Sequence, residues 1–286
     1  ASADGRDRYQ DVFGQTLVDL ARLDRRVVGI TPAMPSGCSM NLLLRTMPER
    51  CFDVGIAEGH AVTFSAGLAA AGIVPFCNIY STFMQRAFDN VIHGAFDLAY
   101  FGCIPNLTVA SPLDERELRN LLYTALQSGV PFVVRYPRGK GEGAAWRDEA
   151  FERLPIGRGR RLTEGDDMAV LTIGPVGNVA ARAVKRAAAE GVSAAHYDLR
   201  FARPLDEELL DEVGRRFERV VTVEDGVVRG GVGSTVRDFF DRRGYRTQVR
   251  SLGIPDDRFV EHGTPAELYA QCGFDEEGIL RAILER

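Results

Sequence analysis

The sequence predicts an α/β protein built as two mostly parallel-sheet domains, each covered by helices. Three observations carry that expectation. At 286 residues the chain exceeds one ordinary core and suits two domains of roughly 130 to 150 residues each. Apolar periodicity switches repeatedly between a 3.6-residue period and short β-branched runs. Between Gly139 and Ile156 the pattern breaks into glycines, charges and the only Trp, which marks a linker. The expected division is therefore 1–140, a linker over 141–156, and 157–286.

Along the first domain, helical spacing runs from Gln10 to Leu23 and leads into the β-branched run Arg26–Thr31. The alternation continues with Asn41–Arg45, then Phe52–Ile56 as a strand running into Glu58–Ala71, a helix of small residues. Strands follow at Val74–Tyr80, Leu107–Ala110 and Phe132–Tyr136, separated by helical stretches at Met84–His93 and Asp114–Gln127. In the second domain strands Met168–Ile173, Ser193–Leu199, Arg219–Glu224 and Thr247–Leu252 alternate with helices Val176–Glu190, Asp206–Arg216 and Ser234–Arg243. Two helical stretches follow them.

Composition excludes several function classes. With 45% hydrophobic and 26% charged residues, the chain can bury a core and is not a disordered sequence. A net charge of -5 without a basic run argues against nucleic acid as a partner. No apolar stretch approaches a membrane span, and the first residues show no signal-like apolar region, so neither membrane nor export is expected. Five widely spaced cysteines without a Cys-x-x-Cys pair suit a reducing cytoplasm.

Candidate chemistry lies where strands open into helices. In Asp53-Val-Gly-Ile56-Ala-Glu58-Gly-His60, Glu58 fits two readings: a first-turn carboxylate steadied by the helix dipole, or a reactive carboxyl with apolar flanks. Tyr80, Phe83 and Arg86 share helical spacing, which suits either core packing or an aromatic surface beside a cation. Arg135 and Arg138 follow an apolar strand, as loop cations or as ligands for phosphate or carboxylate. Val221-Thr-Val-Glu224-Asp-Gly-Val-Val-Arg-Gly-Gly-Val-Gly233 invites comparison with a phosphate cradle, but lacks the spacing of one and favours close helix packing. His196 and His262 have no partners at metal-ligand spacing.

Taken together, the strings around Glu58, Tyr80-Ser-Thr-Phe-Met-Gln-Arg86, Gly94-Ala-Phe-Asp-Leu-Ala-Tyr, Val134-Arg-Tyr-Pro-Arg-Gly139 and Val223-Glu-Asp-Gly resemble 1-deoxy-D-xylulose-5-phosphate synthase, a transketolase-like family, along nearly the whole chain. The resemblance implies a pyrimidine-binding domain followed by a transketolase C-terminal domain. It implies a thiamine-diphosphate carboligase that decarboxylates pyruvate and joins the two-carbon unit to glyceraldehyde 3-phosphate, opening the non-mevalonate isoprenoid route. Glu58 then matches the glutamate that activates the cofactor, with Ile56 and Phe83 against its pyrimidine. Tyr80, Arg86 and Arg135 match substrate-channel positions, and a homodimer is implied. A separate transketolase-like or pyruvate-dehydrogenase β-type subunit and a non-catalytic dimerisation module are the alternatives.

Three departures accompany the resemblance. Gly59 stands where the pattern has Gln. The family's N-terminal domain, which holds the diphosphate and Mg²⁺ through a Gly-Asp-Gly motif, has no counterpart here, so both are expected on a partner domain of the same enzyme. A loop and core strand are missing between His93 and Gly94, where an interruption of the chain is expected.

Overall fold

The computed structural model describes residues 5–84, 97–257, 260 and 263–285. The expected helix Met84–His93 beyond its first residue, the expected interruption at His93–Gly94, Arg86 and His262 lie outside them. The described strands pair mainly in parallel, with antiparallel pairs confined to two short strands. The chain groups into two compact units: Ala1–Gly94 with Asp114–Gly129 and Pro137–Leu154, and Ala95–Leu113 with Val130–Tyr136 and Pro155–Arg286.

The first unit is built on three parallel strands, β1 (Val27–Thr31), β2 (Cys51–Asp53) and β3 (Val74–Cys77), in the order β2-β1-β3. Central β1 is buried along its whole length, which a run of Val, Val, Ile and Thr tolerates because both faces are covered. Helix α1 (Tyr9–Leu23) buries Tyr9, Val12, Phe13, Thr16, Leu17, Leu20 and Ala21, the spacing of one continuous helix face. Short α2 (Asn41–Thr46) and α3 (Glu58–Ala70) follow, and α4 (Ser81–Met84) comes after β3.

In the second unit, α5 (Asp97–Gly102) precedes β4 (Thr108–Ala110). The next helix, α6 (Glu115–Ser128), returns to the first unit and packs on α1. It is capped by Asp114, whose carboxylate accepts from Glu117 N. Strand β5 (Phe132–Val134) pairs with β4, and β4 also takes antiparallel β9 (Phe201–Arg203).

The main sheet of the second unit has five strands in the order β11-β10-β7-β8-β6. They are β6 (Arg160–Thr163), β7 (Met168–Ile173), β8 (Ala194–Asp198), β10 (Arg219–Val227) and β11 (Gln248–Ile254). Helices α7 (Val176–Ala189), α8 (Glu207–Arg216), α9 (Val232–Arg243), α10 (Pro265–Cys272) and α11 (Glu276–Leu284) complete it. Its core joins Met168, Val170, Val184, Val221, Val223, Phe274, Ile279 and Ile283.

Pro137–Leu154, which includes most of the segment expected as a linker (141–156), groups with the first unit. The buried Glu115 carboxylate accepts backbone N–H bonds from Glu142 (3.1 Å), Gly143 (2.8 Å) and Ala144 (3.4 Å). Trp146 donates its indole N–H to Asp7 at 2.9 Å, and Leu154 N donates to Thr124 Oγ1 at 2.8 Å. Side chains from other segments thus satisfy part of its irregular backbone.

Candidate functional site

In the first unit the parallel strands deliver three loops from their carboxyl ends, after Thr31, Asp53 and Cys77. Such ends are where open α/β sheets bind ligands. Asp53 ties two of the loops together, its Oδ1 accepting from Ala33 N (2.8 Å) and Gly55 N (3.0 Å). Ala33 (φ 58°) and Ser39 (φ 57°) both occupy left-handed backbone. Strain of about 1 kcal/mol or more per such non-glycine residue gathers at functional sites.

Glu58 is the first residue of α3, preceded by Ala57, which offers no side-chain cap. The residue is 2% exposed, so a carboxyl group is buried in the first turn of a helix. The apolar residues nearby face outward: Ile56 is 77% exposed, Val62 36% and Phe83 38%. The dry setting expected around Glu58 is therefore not supplied by these side chains. Helix α3 is apolar nearly throughout, yet Val62, Ala66, Gly67, Ala69 and Ala70 are exposed. A helix without a polar face belongs under cover.

Tyr80 stacks on Phe83 with ring centroids 5.7 Å apart, and the Arg138 guanidinium lies 5.4 Å from its ring centre. Thus Ile56, Glu58, Tyr80 and Phe83 all lie on the strand-end loops or the helices they open in the first unit. Arg135 belongs to the second unit.

Arg135 follows β5, and its guanidinium is held on three sides. Nε donates to Asp97 Oδ2 (3.1 Å), Nη1 to Asp225 Oδ2 (3.3 Å) and Nη2 to the Asp225 carbonyl (2.7 Å). Tyr269 donates its hydroxyl to the same Asp225 oxygen at 3.3 Å. Burial works against the charge, but the two carboxylates outweigh it and hold the guanidinium pKa above its ordinary value. A phosphate reaching Arg135 would compete with Asp225 for the same donors.

The glycine-rich string after β10 is filled from within. Glu224 accepts from Val232 N and Gly233 N, both at 2.9 Å, at the start of α9. A Cβ on Gly231 would stand 2.4 Å from Glu224 Oε2 and 2.2 Å from Val227 O, so glycine there makes room for the carboxylate, and the string is structural. Burial raises Glu224 to about 7 despite its two backbone bonds. His196, wholly buried in β8, meets Thr172 Oγ1 through Nε2 at 2.9 Å, and burial pushes its pKa down to about 4.

These two groups give the stability opposite pH slopes. His196 takes a proton more readily when unfolded, so its share of stability is lost as pH falls from the ordinary 6.5 toward about 4. Glu224 holds its proton better when folded, so its share is lost as pH rises from 4.5 toward about 7. Each amounts to about 3 kcal/mol. His196→Gln is expected to leave the Glu224 slope exposed, so that stability relative to the parent grows as pH falls from 7 to 4.5. Urea midpoints across that range check it, and parallel profiles for parent and variant would contradict it.

The transketolase pyrimidine-binding domain model matches residues 8–96 and 92–142, and the transketolase C-terminal domain model matches 157–279. The chain belongs to the transketolase family. It is 54% identical over 97% of its length to 1-deoxy-D-xylulose-5-phosphate synthase of Bacteroides thetaiotaomicron. The same enzyme of Bacteroides fragilis is 53% identical over 96% of the chain, and that of Aquifex aeolicus 42% over 96%. The chain spans 47–48% of these relatives' own length. The Bacteroides fragilis alignment runs over 304 residues while this chain has 286, so that relative holds residues this transketolase-family chain lacks. A solved "split gene transketolase, inactive beta4 tetramer" is 27% identical with a TM-score of 0.84, covering 96% of this chain and 97% of that one.

Sequence reasoning missed the bridging role of Asp53 and the Asp97 and Asp225 partners of Arg135. The adjacent Ala33 and Ser39 are ordinary in sequence, and their left-handed backbone emerges only in the fold. Among the described residues, no group of three or more His, Cys, Asp or Glu is placed to hold a metal, and no helix is long and apolar enough to cross a membrane.

Proposed function

We propose that this chain supplies the aminopyrimidine-binding half of a thiamine-diphosphate-dependent 1-deoxy-D-xylulose-5-phosphate synthase. Pyruvate loses its carboxyl carbon as carbon dioxide, and its second carbon bonds to the aldehyde carbon of glyceraldehyde 3-phosphate, whose oxygen takes up a proton. The observation that carries this reading is Glu58, a buried carboxyl at a helix start in a unit that leaves Ile56, Val62 and Phe83 exposed. An aminopyrimidine needs one acid for its ring nitrogen and apolar surface for its faces, and this set fits it.

When bound, thiamine diphosphate supplies an acidic thiazolium carbon that stabilises carbanion chemistry. Glu58 would share a proton with the pyrimidine ring nitrogen, and Ile56 and Phe83 would offer apolar surface to the ring. Tyr80, Arg86 and Arg135 serve the substrates. The glycine-rich string, filled by Glu224, is not a diphosphate site, so the diphosphate and Mg²⁺ are assigned to an N-terminal domain outside this sequence.

The division into a pyrimidine-binding domain (1–140), a connecting segment (141–156) and a C-terminal domain (157–286), with a loop and strand lacking between 93 and 94, belongs to the same proposal. So do a homodimer, supported by the exposed apolar side of α3, and a cytoplasmic location, supported by five free cysteines. The near-complete match to a split-gene transketolase chain favours a second reading, a subunit whose diphosphate-binding partner is separately encoded.

Mixing this chain with the N-terminal domain of the Bacteroides fragilis relative tests both. Pyruvate and glyceraldehyde 3-phosphate are expected to yield 1-deoxyxylulose 5-phosphate only in the mixture with thiamine diphosphate and Mg²⁺. Product from a sugar-phosphate ketol donor and none from pyruvate would favour the second reading and overturn the first.

A further inference from the structure

We propose that Asp53 is a positioning residue for Glu58, clasping the two strand-end loops that fix where the first turn of α3 begins, an assignment that rests on the function proposed above. The observation is one oxygen shared by two loops. Asp53 closes β2, and its Oδ1 accepts from Ala33 N (2.8 Å) in the loop after β1 and from Gly55 N (3.0 Å) in its own loop. Only four residues separate Asp53 from Glu58, so what holds this turn holds the approach to the carboxyl.

Backbone bonds carry the constraint from Asp53 to the helix. Val54 N donates to Thr31 O at 3.1 Å, which continues the β1–β2 pairing past its last register pair, Thr31 with Asp53. Ala57 N donates to Gly55 O at 2.8 Å, and the Ala57 carbonyl accepts from Ala61 N at 2.9 Å in the first turn of α3. Gly55 has φ 74°, a left-handed conformation that glycine adopts without steric cost. A Cβ there would meet nothing within 4 Å, so the glycine serves the turn and not a close approach.

On the far side of the clasp, the loop after β1 is anchored in its turn. Cys38 N donates to Met34 O at 3.1 Å and Asn41 N to Pro35 O at 3.0 Å, and Ser39 donates its hydroxyl to Asp11 of α1 at 2.6 Å. The helix start brings no such anchor of its own: Ala57, the residue before Glu58, has no side chain that can cap α3. The place of Glu58 at the head of α3 is thus set from outside the helix, by the clasp. An error of about 1 Å at a reacting group can cost roughly 10²-fold in rate, which makes this placement matter.

The test has two arms. Asp53 is exposed, so substitution there leaves no core cavity. In the full chain alone, amide hydrogen exchange at Ala33, Gly55 and Ala61 is followed by NMR in the parent, Asp53→Ala and Asp53→Asn. The alanine variant should exchange these amides roughly 3- to 10-fold faster. Asparagine, whose Oδ1 can accept the same two bonds, should stay within about twofold of the parent. The second arm uses the enzyme assembled with the N-terminal domain of the Bacteroides fragilis relative. There hydrogen–deuterium exchange at the thiazolium carbon of thiamine diphosphate, at saturating cofactor, is measured for the same proteins and for Glu58→Gln with and without Asp53→Ala. Asp53→Ala alone should slow it roughly 10- to 100-fold, and asparagine should restore it to within about threefold. In the Glu58→Gln background the same alanine substitution should add less than about twofold.

Losses from Asp53→Ala and Glu58→Gln that add in full would overturn the proposal, because a residue acting through Glu58 has nothing left to position once the carboxyl is gone. Parental amide exchange in Asp53→Ala would overturn it as well, as would an asparagine variant as slow as the alanine one. If the assembled parent does not activate the cofactor, the function proposed above fails and takes the positioning role with it, while amide exchange in the chain alone still decides the clasp.

Discussion

Replacing Glu58 by glutamine is expected to leave the chain folded and to lower product formation in the assembled enzyme by roughly 10² to 10⁴. The side chain is buried at the first residue of α3, and glutamine matches its shape, so packing changes little. What is lost is the proton. An amide cannot exchange one with a pyrimidine nitrogen, whereas a carboxyl group can. Thermal unfolding and far-ultraviolet dichroism should overlay those of the parent, and steady-state assays should show the loss in kcat. Equal loss of stability and activity would instead return Glu58 to the role of a helix-terminal carboxylate, worth a few tenths of a kcal/mol.

Arg135→Ala is expected to cost about 3–5 kcal/mol of stability, because it strands buried carboxylate charge. Asp97 is 1% exposed and receives the Arg135 Nε–H, and Asp225 takes the other two bonds. The double variant Arg135→Ala, Asp97→Asn should recover part of that loss by removing the uncompensated charge. Urea unfolding of the three proteins measures it, and a midpoint unchanged in Arg135→Ala would show that the cluster contributes nothing to the fold. The acceptor-binding role given to Arg135 is separable: Arg135→Lys keeps a cation at the strand end but cannot reproduce three guanidinium bonds. A rise in KM for glyceraldehyde 3-phosphate larger than the loss of stability explains would support a substrate contact.

Elements whose cause is local were legible in the sequence. Helix α1 shows in the spacing Val12, Thr16, Leu20, and buried β1 and β7 show in unbroken β-branched or apolar runs. The start of α3 at Glu58 matched the expected strand-to-helix junction. Two short antiparallel strands were not legible. β9 pairs Phe201 with Ala110 across about a third of the chain, and β6 is a polar edge carrying Arg160 and Arg161, so neither shows the apolar run that marks a central strand. The partners of the 141–154 segment, Glu115 and Thr124 for its backbone and Asp7 for the Trp146 indole, are distant in sequence and leave no local signal.

The candidate site divides in the same way. Glu58 and Tyr80 lie next to strands whose ends announce them. Arg138 meets Tyr80 only because folding brings its guanidinium within 5.4 Å of the ring centre. The two carboxylates on Arg135 come from α5 and from β10, and no local pattern joins them to β5. Long-range electrostatic partners of this kind carry no periodic signature.

Glu58 is proposed to move the proton that readies the cofactor. The most direct test is hydrogen–deuterium exchange at the thiazolium carbon of thiamine diphosphate, followed by quenched-flow NMR in the enzyme assembled from this chain and its diphosphate-binding domain. The parent should exchange far faster than free cofactor, and Glu58→Gln should be slowed by roughly 10² to 10⁴ with cofactor still bound. Exchange at the parental rate in Glu58→Gln would contradict the account.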